Sequence, residues 1–294
     1  RGLGDVYKRQ IKIDGKIEPY DDKRLMPQDT EQMIRDIYTI AKKDDIEDFI
    51  HNGDDDFSFS IPQVGRFRVN AYRQRNSFAA VLRIVSFLLP DPKIMHIPSI
   101  VIDLAKQMKG MVLVSGPAGS GKSTTLACII DQINNSRNSH IITIEDPIEY
   151  LHTHKQSIVS QREVYHDTKD YVSALRAALR EAPEVILVGE MRDLETIEIS
   201  VTAAETGHLV FSSLHTIGAA NTIDRMIDVF PATQQQQIRV QLSMVLNGVV
   251  SQQLLPGKDG KMLPVFEIML CNQAIRNLIR EGKTHQMQNL SLIH

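Results

Sequence analysis

The fold of this chain is decided by one stretch, Gly116-Pro117-Ala118-Gly119-Ser120-Gly121-Lys122-Ser123-Thr124. It has the form G-x-x-x-x-G-K-S, the pattern of a phosphate-binding P-loop. A short apolar run, 110–115, comes before it, and the segment 125–133 after it has the apolar stripe of a helix. A buried strand, a glycine-rich loop and a helix are the context in which this pattern binds phosphate. The stretch therefore predicts an α/β fold built around a phosphate site.

Each part of this loop has a physical role in anion binding. Gly116, Gly119 and Gly121 let backbone N–H groups turn towards an anion in conformations that a side chain would hinder. The positive end of the following helix points to the same place. Lys122 supplies a charge for the β- and γ-phosphates, and Ser123 supplies a hydroxyl ligand for Mg²⁺. A chance glycine-rich turn is the alternative, and the agreement of pattern and context argues against it.

Composition bounds the remaining possibilities. A length of 294 residues favours two domains, and 42% hydrophobic with 23% charged residues is ordinary for a globular protein. The net charge of −3 gives no basic field for polymeric nucleic acid. Two cysteines exclude a disulfide framework and a four-thiolate zinc site, and they fit a reducing cytosolic setting. No apolar run reaches the roughly 18 residues of a transmembrane helix, and no signal peptide opens the chain.

The N-terminal part, 11–88, predicts a small α+β domain. Alternation in 11–17 around Asp14-Gly15 indicates a hairpin, and an apolar stripe indicates a helix from about residue 30 to residue 43. Three strand-like runs follow, and two of them carry Arg68 and Arg83 on a polar sheet face. These runs are 57–61, 66–72 and 79–86.

A proline-punctuated linker, 89–98, leads to a region, 99–294, in which strands alternate with helices. Short connections between them imply a mostly parallel sheet covered by helices. One long helix is predicted over 234–255. Residues 1–10 lack a start methionine and a hydrophobic period, and we interpret them, with the C-terminal end, as fragment edges or non-native sequence.

The predicted strand ends carry the chemistry. In parallel sheets, ligands bind beyond the carboxyl ends of the strands. Glu149 follows the second strand in Glu145-Asp146-Pro147-Ile148-Glu149, Glu190 follows the third, and His215 follows the fourth. A carboxylate can orient and deprotonate a water, and a histidine can contact a γ-phosphate. Gly189 stands where an aspartate would hold Mg²⁺, so Glu190 would act through water, on the metal or on the nucleophile.

Plainer interpretations compete with these assignments. Glu145 and Asp146 precede a proline, so a turn or cap role is open to both. His215 alone would often be structural. Arg192 and Asp193 can pair with each other, and His152 with His154 has no partnering ligand set.

The order and spacing of these motifs resemble the Walker A, Asp box, Walker B and His box of the secretion ATPases, the hexameric motors of type II secretion and type IV pili. The resemblance runs from about Ile11 to Gln288. Within that superfamily the chain is most similar to the type IV pilus retraction (twitching-motility) ATPases. The stretch AIRNLIRE, 274–281, is the motif associated with retraction, and the two cysteines leave no four-cysteine zinc insertion of the kind usual in extension and secretion ATPases.

The resemblance implies a PAS-like N-terminal domain, 11–88, and a RecA-like ATPase domain, 99–294, truncated at its C-terminal end. It implies a homohexamer using ATP and Mg²⁺, located in the cytoplasm on an inner-membrane platform protein, acting on pilin indirectly and binding no nucleic acid. Lys122 and Ser123 would bind phosphate and Mg²⁺, and Glu149 would be the general base. Glu190 would be the Walker B acid, also reaching the metal through water.

By the same resemblance, His215 would contact the γ-phosphate. Arg68 and Arg83 would reach the nucleotide from elsewhere in the ring, with a large effect on rate. Three alternatives stay open: a pilus-extension or type II secretion ATPase, a RecA-like nucleic-acid translocase, and a P-loop protein that binds nucleotide without turnover. From its apolar stripe alone, the AIRNLIRE helix can also be a plain amphipathic packing helix.

Overall fold

A computed structural model describes residues 7–13, 16–61, 64–85, 88–258, 262–290 and 292–293. The chain divides into two compact units, residues 1–87 and 88–294. Within the described residues, no helix combines the length and the apolar character needed to cross a bilayer.

The N-terminal unit contains two antiparallel sheets and two helices. Strands β1 and β2 pair with each other, and β3, β4 and β5 form a second sheet in that order. Residues 7–10, which the sequence analysis leaves out of the fold, lie in β1. The predicted Asp14-Gly15 turn lies outside the described residues, but Ile13 pairs with Lys16 across it. The elements are β1 (Tyr7–Ile13), β2 (Lys16–Leu25), α1 (Pro27–Ala41), α2 (Ile46–Asn52), β3 (Asp54–Ile61), β4 (Gly65–Gln74) and β5 (Ser77–Val85).

The two faces of the β3–β4–β5 sheet differ in chemistry. Alternation puts Val69 on the face covered by α1, where Tyr38 packs edge-on against Phe57. The other face carries Arg68 and Arg83, which are paired directly across β4 and β5. The polar, arginine-bearing face predicted from alternation is therefore present.

The C-terminal unit has the predicted alternation of strands and helices. Its strands are β6 (Gly110–Ser115), β7 (His140–Glu145), β8 (Ile158–Glu163), β9 (Val185–Val188), β10 (Leu209–Leu214), β11 (Leu246–Pro256), β12 (Met262–Leu270) and β13 (Leu292–Ile293). Its α-helices are α3 (Ser99–Ile102), α4 (Lys122–Ser136), α5 (Tyr171–Ala178), α6 (Leu194–Glu205), α7 (Ala219–Asp228), α8 (Ala232–Val245) and α9 (Gln273–Arg280). Short 3-10 helices span Asp103–Lys106 and Thr284–Leu290.

One eight-stranded sheet organises this unit, in the order β13-β12-β11-β6-β10-β9-β7-β8. The strands from β11 to β8 run parallel, whereas β12 is antiparallel to both β11 and β13. The α/β fold class with a mainly parallel sheet is thus confirmed. Apolar clusters cover both faces of the sheet, so the central strand β6 is buried along its whole length. Burying each of its large apolar side chains contributes about 1.5–3 kcal/mol.

The long helix predicted over 234–255 is wrong in its second half. Helix α8 ends at Val245, and the chain continues as β11 between β6 and β12. Val249 and Val250 are fully buried there. A short apolar run has the same signature in a buried helix and in a buried strand, and long-range pairing with β6 decides the outcome.

Candidate functional site

The carboxyl ends of β6, β7, β9 and β10 lie at one edge of the sheet, because these strands are parallel and stand in the consecutive order β6-β10-β9-β7. A cavity of about 270 Å³ opens there. The structure brings Lys122 and Ser123 of the P-loop into its wall together with Glu149, Glu190 and His215. Three separate predicted motifs therefore line one pocket with the phosphate cradle.

The P-loop joins the buried end of β6 to the first turn of α4. Gly116 has φ +145°, and a Cβ there would lie 2.1 Å from the carbonyl oxygen of Gln252, so only glycine fits. Lys122 donates from Nζ to the carbonyl oxygens of Gly116 at 2.8 Å and Pro117 at 3.0 Å. These carbonyls hold the ammonium over the loop, where a phosphate would replace them as partner.

Burial sets the charge balance at Lys122. The side chain is only 7% exposed. Burial lowers the pKa of this ammonium, and the carboxylates of Glu190 and Glu149 oppose that shift. A phosphate brings further negative charge to the same place, so nucleotide binding and protonation of Lys122 stabilise each other.

Glu190 is held by two cationic or polar neighbours. Its carboxylate lies 2.6 Å from Nη2 of Arg192 and 3.0 Å from Nε2 of His215. Burial raises its pKa, but these hydrogen bonds and charges outweigh burial and leave the pKa lowered. The other ring nitrogen of His215 lies 3.5 Å from Nζ of Lys122. Glu190, His215 and Lys122 therefore form a continuous chain from the Walker B strand to the P-loop.

The suggested pairing of Arg192 with Asp193 is wrong. Asp193 caps α6 by accepting the backbone N–H of Thr196 at 2.9 Å and its hydroxyl at 2.8 Å. Arg192 is thus available to Glu190. The carboxylate of Asp193 accepts its hydrogen bonds from the first turn of α6 and not from Arg192.

Gly189 explains the departure from the usual Walker B pattern. A Cβ at this position would lie 3.1 Å from both the Ile144 carbonyl oxygen and the Tyr171 hydroxyl. An aspartate would fit only if the Ile144 backbone and the Tyr171 hydroxyl shifted by a few tenths of an ångström. The strand β9 therefore reaches the pocket with Glu190 as its first acidic residue.

Glu149 faces the pocket from an exposed position, on a loop that is tied down on both sides. The buried carboxylate of Glu163 accepts the backbone N–H of Ile148 at 3.1 Å. On the other side, the Tyr150 hydroxyl lies 2.9 Å from Oγ1 of Thr124 in the P-loop. These contacts present Glu149 to the cavity while leaving its carboxylate accessible to solvent.

Glu145 at the end of β7 is the second carboxylate of this loop. It accepts hydrogen bonds from the Thr143 hydroxyl at 2.6 Å and from Nε2 of Gln161 at 3.2 Å. Burial raises its pKa to about 7, against the effect of those hydrogen bonds. It is a wall residue of the cavity rather than a plain turn residue.

The pocket fits Mg²⁺ only as a partner of the nucleotide. Among the residues that the structure describes, no three His, Cys, Asp or Glu side chains are grouped so as to hold a metal ion. Ser123 offers a hydroxyl in the cavity wall, and Glu190 is bound to Arg192 and His215. Mg²⁺ commonly takes one or two protein oxygens plus phosphate oxygens and waters, and this donor set matches that habit.

The two predicted arginines lie in the N-terminal unit. Arg68 donates to both carboxylate oxygens of Asp56, at 2.7 Å and 3.2 Å. Arg83 is exposed on the neighbouring strand. Two of the three consecutive aspartates at 54–56 form ion pairs: Asp55 contacts Lys43 at 3.0 Å, and Asp56 contacts Arg68 at 2.7 Å.

Helix α9 carries most of AIRNLIRE. Ile275 and Ile279 are buried, as the apolar stripe predicts. Arg276 donates to the carbonyl oxygens of Ser243 at 2.7 Å and Met244 at 2.9 Å, which caps the C-terminal end of α8. Arg280 is exposed, and among the hydrogen bonds that are described its side chain makes only a local one, to Asn277. One arginine of this helix therefore supports packing, and the other is presented to solvent.

Three further residues at the pocket were not predicted from the sequence. Tyr150 and Tyr171 line the cavity, and Gln252 borders the P-loop from β11. Tyr150 follows Glu149 directly and could have been included with it. The other two have no sequence signal, because tertiary pairing brings them to the site.

Comparison with known proteins agrees with these motifs. Residues 96–281 match the family described as type II/IV secretion system protein. The chain is 47% identical over 277 residues to the type IV pilus retraction ATPase PilT of Pseudomonas aeruginosa, which covers 94% of this chain and 80% of that protein. It is 51% identical over 236 residues to a twitching motility protein of Neisseria gonorrhoeae, which covers 80% of this chain and 63% of that protein.

A solved structure shows the same likeness in three dimensions. The crystal structure of the pilus retraction motor PilT with bound ADP matches with a TM-score of 0.90 and 50% identity. The match covers 96% of this chain and 82% of that chain.

Proposed function

The chain belongs to the type II/IV secretion system protein family, and from that membership we propose that it is an ATPase that powers type IV pilus retraction. The observation that carries this proposal is the pocket in which the P-loop meets Glu149, Glu190 and His215. The relatives named for pilus retraction and twitching motility support the same activity.

The P-loop holds the triphosphate of ATP. Backbone N–H groups of 116–121 and the N-terminus of α4 face the phosphates, and Lys122 leaves its two carbonyl partners for the β- and γ-oxygens. Mg²⁺, when bound with the nucleotide, neutralises charge that develops on the phosphates. Ser123 is the residue that would hold it, with Glu190 acting through water.

Glu149 activates the attacking water. Its carboxylate is exposed at the pocket, whereas the Glu190 carboxylate is bound to Arg192 and His215. A base must be within reach of the water it deprotonates, and a carboxylate already engaged by an arginine is poorly suited to that task. We therefore assign proton removal to Glu149.

Glu190 and His215 sense the γ-phosphate. His215 lies between Glu190 and Lys122, so a γ-phosphate on Lys122 also meets the imidazole. The arriving phosphate competes with the Glu190 carboxylate for the hydrogen bond to His215. Release of phosphate restores the chain, which gives the site two states that follow the nucleotide.

The rest of the assembly belongs to the proposal. A homohexamer would place Arg68 or Arg83 of the N-terminal unit on the nucleotide, where an arginine contributes transition-state charge. The motor would dock on an inner-membrane platform protein at the cytoplasmic base of the pilus, with pilin moved indirectly. Arg280 on the exposed side of α9 is our candidate for contact with a partner.

A turnover assay with the purified full chain tests the site. We expect Mg²⁺-dependent release of phosphate from ATP, lost in Lys122→Ala and in Glu149→Ala. Exposed residues of the same unit, in Lys106→Ala and Glu198→Gln, are matched controls that should retain turnover. Unchanged turnover in both site variants would overturn the assignment.

The direction of the motor needs a cellular test. A strain without this gene should carry excess surface pili if the protein retracts them. Cells without pili would instead support the extension alternative, against which the AIRNLIRE stretch and the small number of cysteines argue.

A further inference from the structure

Gln252 lies beneath the P-loop on β11, the strand next to β6. It is only 3% exposed. The pairing of β11 with β6 puts Ser251 beside Ser115, the last residue before the loop. Gln252 is therefore one position beyond the end of β6, directly under the cradle.

Three contacts join this one residue to both ends of the P-loop and to the helix after it. Its backbone carbonyl occupies the space a side chain at Gly116 would need, 2.1 Å from an ideal Cβ. Its amide Nε2 occupies the space that a side chain at Gly121 would need, 2.8 Å from an ideal Cβ there. Its Oε1 accepts a hydrogen bond of 2.7 Å from the hydroxyl of Thr125, which is fully buried in α4.

The residue before it holds the segment on the other side of the pocket. The hydroxyl of Ser251 accepts the backbone N–H of Gly218 at 2.8 Å, three positions after His215. Glu267 lies opposite Ser251 on β12 and accepts the N–H of Ala219 at 3.3 Å. Adjacent residues of β11 thus contact both the phosphate cradle and the segment that follows His215.

The geometry points to Gln252 as a positioning residue of the nucleotide site. By bonding Thr125 and filling the space under Gly116 and Gly121, it fixes the shape of the loop in which backbone N–H groups converge on phosphate. It touches no phosphate itself, since it lies on the inner side of the loop. This role rests on the proposed function and adds a determinant of nucleotide affinity on β11.

A neutral amide suits this place for a physical reason. Oε1 satisfies a buried hydroxyl, whose loss of a partner would be costly. A carboxylate would put negative charge under a phosphate cradle, and an apolar side chain would leave Thr125 unsatisfied. Removing the amide should therefore weaken nucleotide binding more than it slows the chemical step.

The test measures binding and turnover separately in the full-length protein. In Gln252→Leu we expect the Kd for a fluorescent ADP analogue to rise about tenfold, in proportion to one lost buried hydrogen bond. The turnover number at saturating ATP should change less than about threefold, because Glu149 and Lys122 remain in place. The matched control is Gln253→Leu, the same change at the next position of β11, which should leave the Kd unchanged.

A second pair of variants covers the case in which leucine disturbs folding. Thr125→Val removes the donor and should weaken binding as Gln252→Leu does, whereas Thr125→Ser keeps the hydroxyl and should bind normally. The double variant should be no weaker than either single one, because both remove one interaction.

Four results would overturn this role. A lower Tm with an unchanged Kd in Gln252→Leu and Thr125→Val would show a purely structural residue. Additive effects in the double variant would show that the two side chains do not act together. A wild-type protein that binds no nucleotide would overturn the proposed function as well, whereas normal wild-type binding with unaltered variants would overturn this role alone.

Discussion

The P-loop has two different neighbours in the sheet. On one side, what we call the catalytic flank, after its proposed role, consists of Glu149, Glu190 and His215, which follow β7, β9 and β10. On the other side, the supporting flank consists of Ser251 and Gln252 on β11. The catalytic side chains are ionisable and partly open to solvent, with His215 48% exposed. The supporting side chains are neutral and almost fully buried, at 4% and 3%.

This difference follows from what each flank must do. In the proposed mechanism the catalytic groups exchange partners when phosphate arrives, and the contacts of Glu190 with Arg192 and His215 lie in a pocket where a ligand can compete. The supporting groups must keep the loop in shape through the whole cycle, and buried hydrogen bonds do this because breaking them leaves unsatisfied polar groups. Substitutions on the two flanks should therefore separate chemistry from binding.

The largest expected effect is at the loop itself. Lys122→Ala removes the charge that both flanks serve, so nucleotide binding and turnover should fall to background. Nucleotide titration and phosphate release on the same preparation check this, with Lys106→Ala as the control. Nucleotide binding that persists in Lys122→Ala would contradict the role of the P-loop lysine on which both flanks depend.

Glu149→Gln should affect the catalytic flank alone. We expect turnover to fall about 1,000-fold, within the usual range for loss of a general base. The Kd for ATP should stay within about threefold, because the side chain contributes to proton removal rather than to holding phosphate. Glu198→Gln is the control on the same unit, and weaker ATP binding with little loss of turnover would contradict the assignment.

Loss of an arginine of the N-terminal unit should lower turnover less than loss of Glu149 does, but more than a substitution in the supporting flank does. Arg68→Ala or Arg83→Ala should lower turnover about 100-fold, below the full effect known for arginine fingers, because the arginine that remains can partly replace the one removed. ATP binding should be nearly unchanged. Arg24→Ala, an exposed arginine of β2, is the control. Full turnover in the double variant Arg68→Ala/Arg83→Ala would remove this unit from the chemistry.

The smallest expected effect concerns the pH dependence of stability rather than the rate of turnover. The pKa of Glu145 is about 7 in the folded protein, above the ordinary value of 4.5. A raised carboxyl pKa contributes stability that is full below about pH 4.5 and is lost as pH rises through 7. The free energy of unfolding should therefore fall by up to about 1.4 kcal/mol per pH unit in this window.

Denaturant unfolding between pH 5 and pH 8 checks this effect. Glu145→Gln should remove that part of the slope, and Glu198→Gln should keep it. Identical pH profiles for the wild type and Glu145→Gln would show that this carboxyl group is not titrating in the window.

The contrast between the flanks also explains what the sequence could predict. Glu149, Glu190 and His215, which line one pocket, could be proposed from the sequence because carboxylates and a histidine follow the predicted strands beside the P-loop. Gln252 could not be found that way, since its segment has a helix-like pattern until pairing with β6 makes it a strand. Its role depends on Thr125 and Gly121, which are far from it in the sequence.

At two positions, tertiary contacts determine a residue's role differently from what its neighbours in the sequence suggest. Adjacency suggested a pair between Arg192 and Asp193, but the aspartate caps α6 and the arginine holds Glu190. The glycine at 189 seemed a missing metal ligand, but the carbonyl of Ile144 and the hydroxyl of Tyr171 crowd the position that a Cβ would take. In both cases the surrounding packing, which no single motif encodes, determines the role.

The central claim is that the catalytic flank hydrolyses ATP held by the P-loop, completed by an arginine of the N-terminal unit. A structure of the assembled protein with Mg²⁺ and a non-hydrolysable ATP analogue tests it most directly. We predict the γ-phosphate on Lys122 and His215, a water between it and Glu149, and the guanidinium of Arg68 or Arg83 about 3 Å from a phosphate oxygen. A bound analogue with Glu149 turned away, and with both arginines remote from the phosphates, would contradict the account.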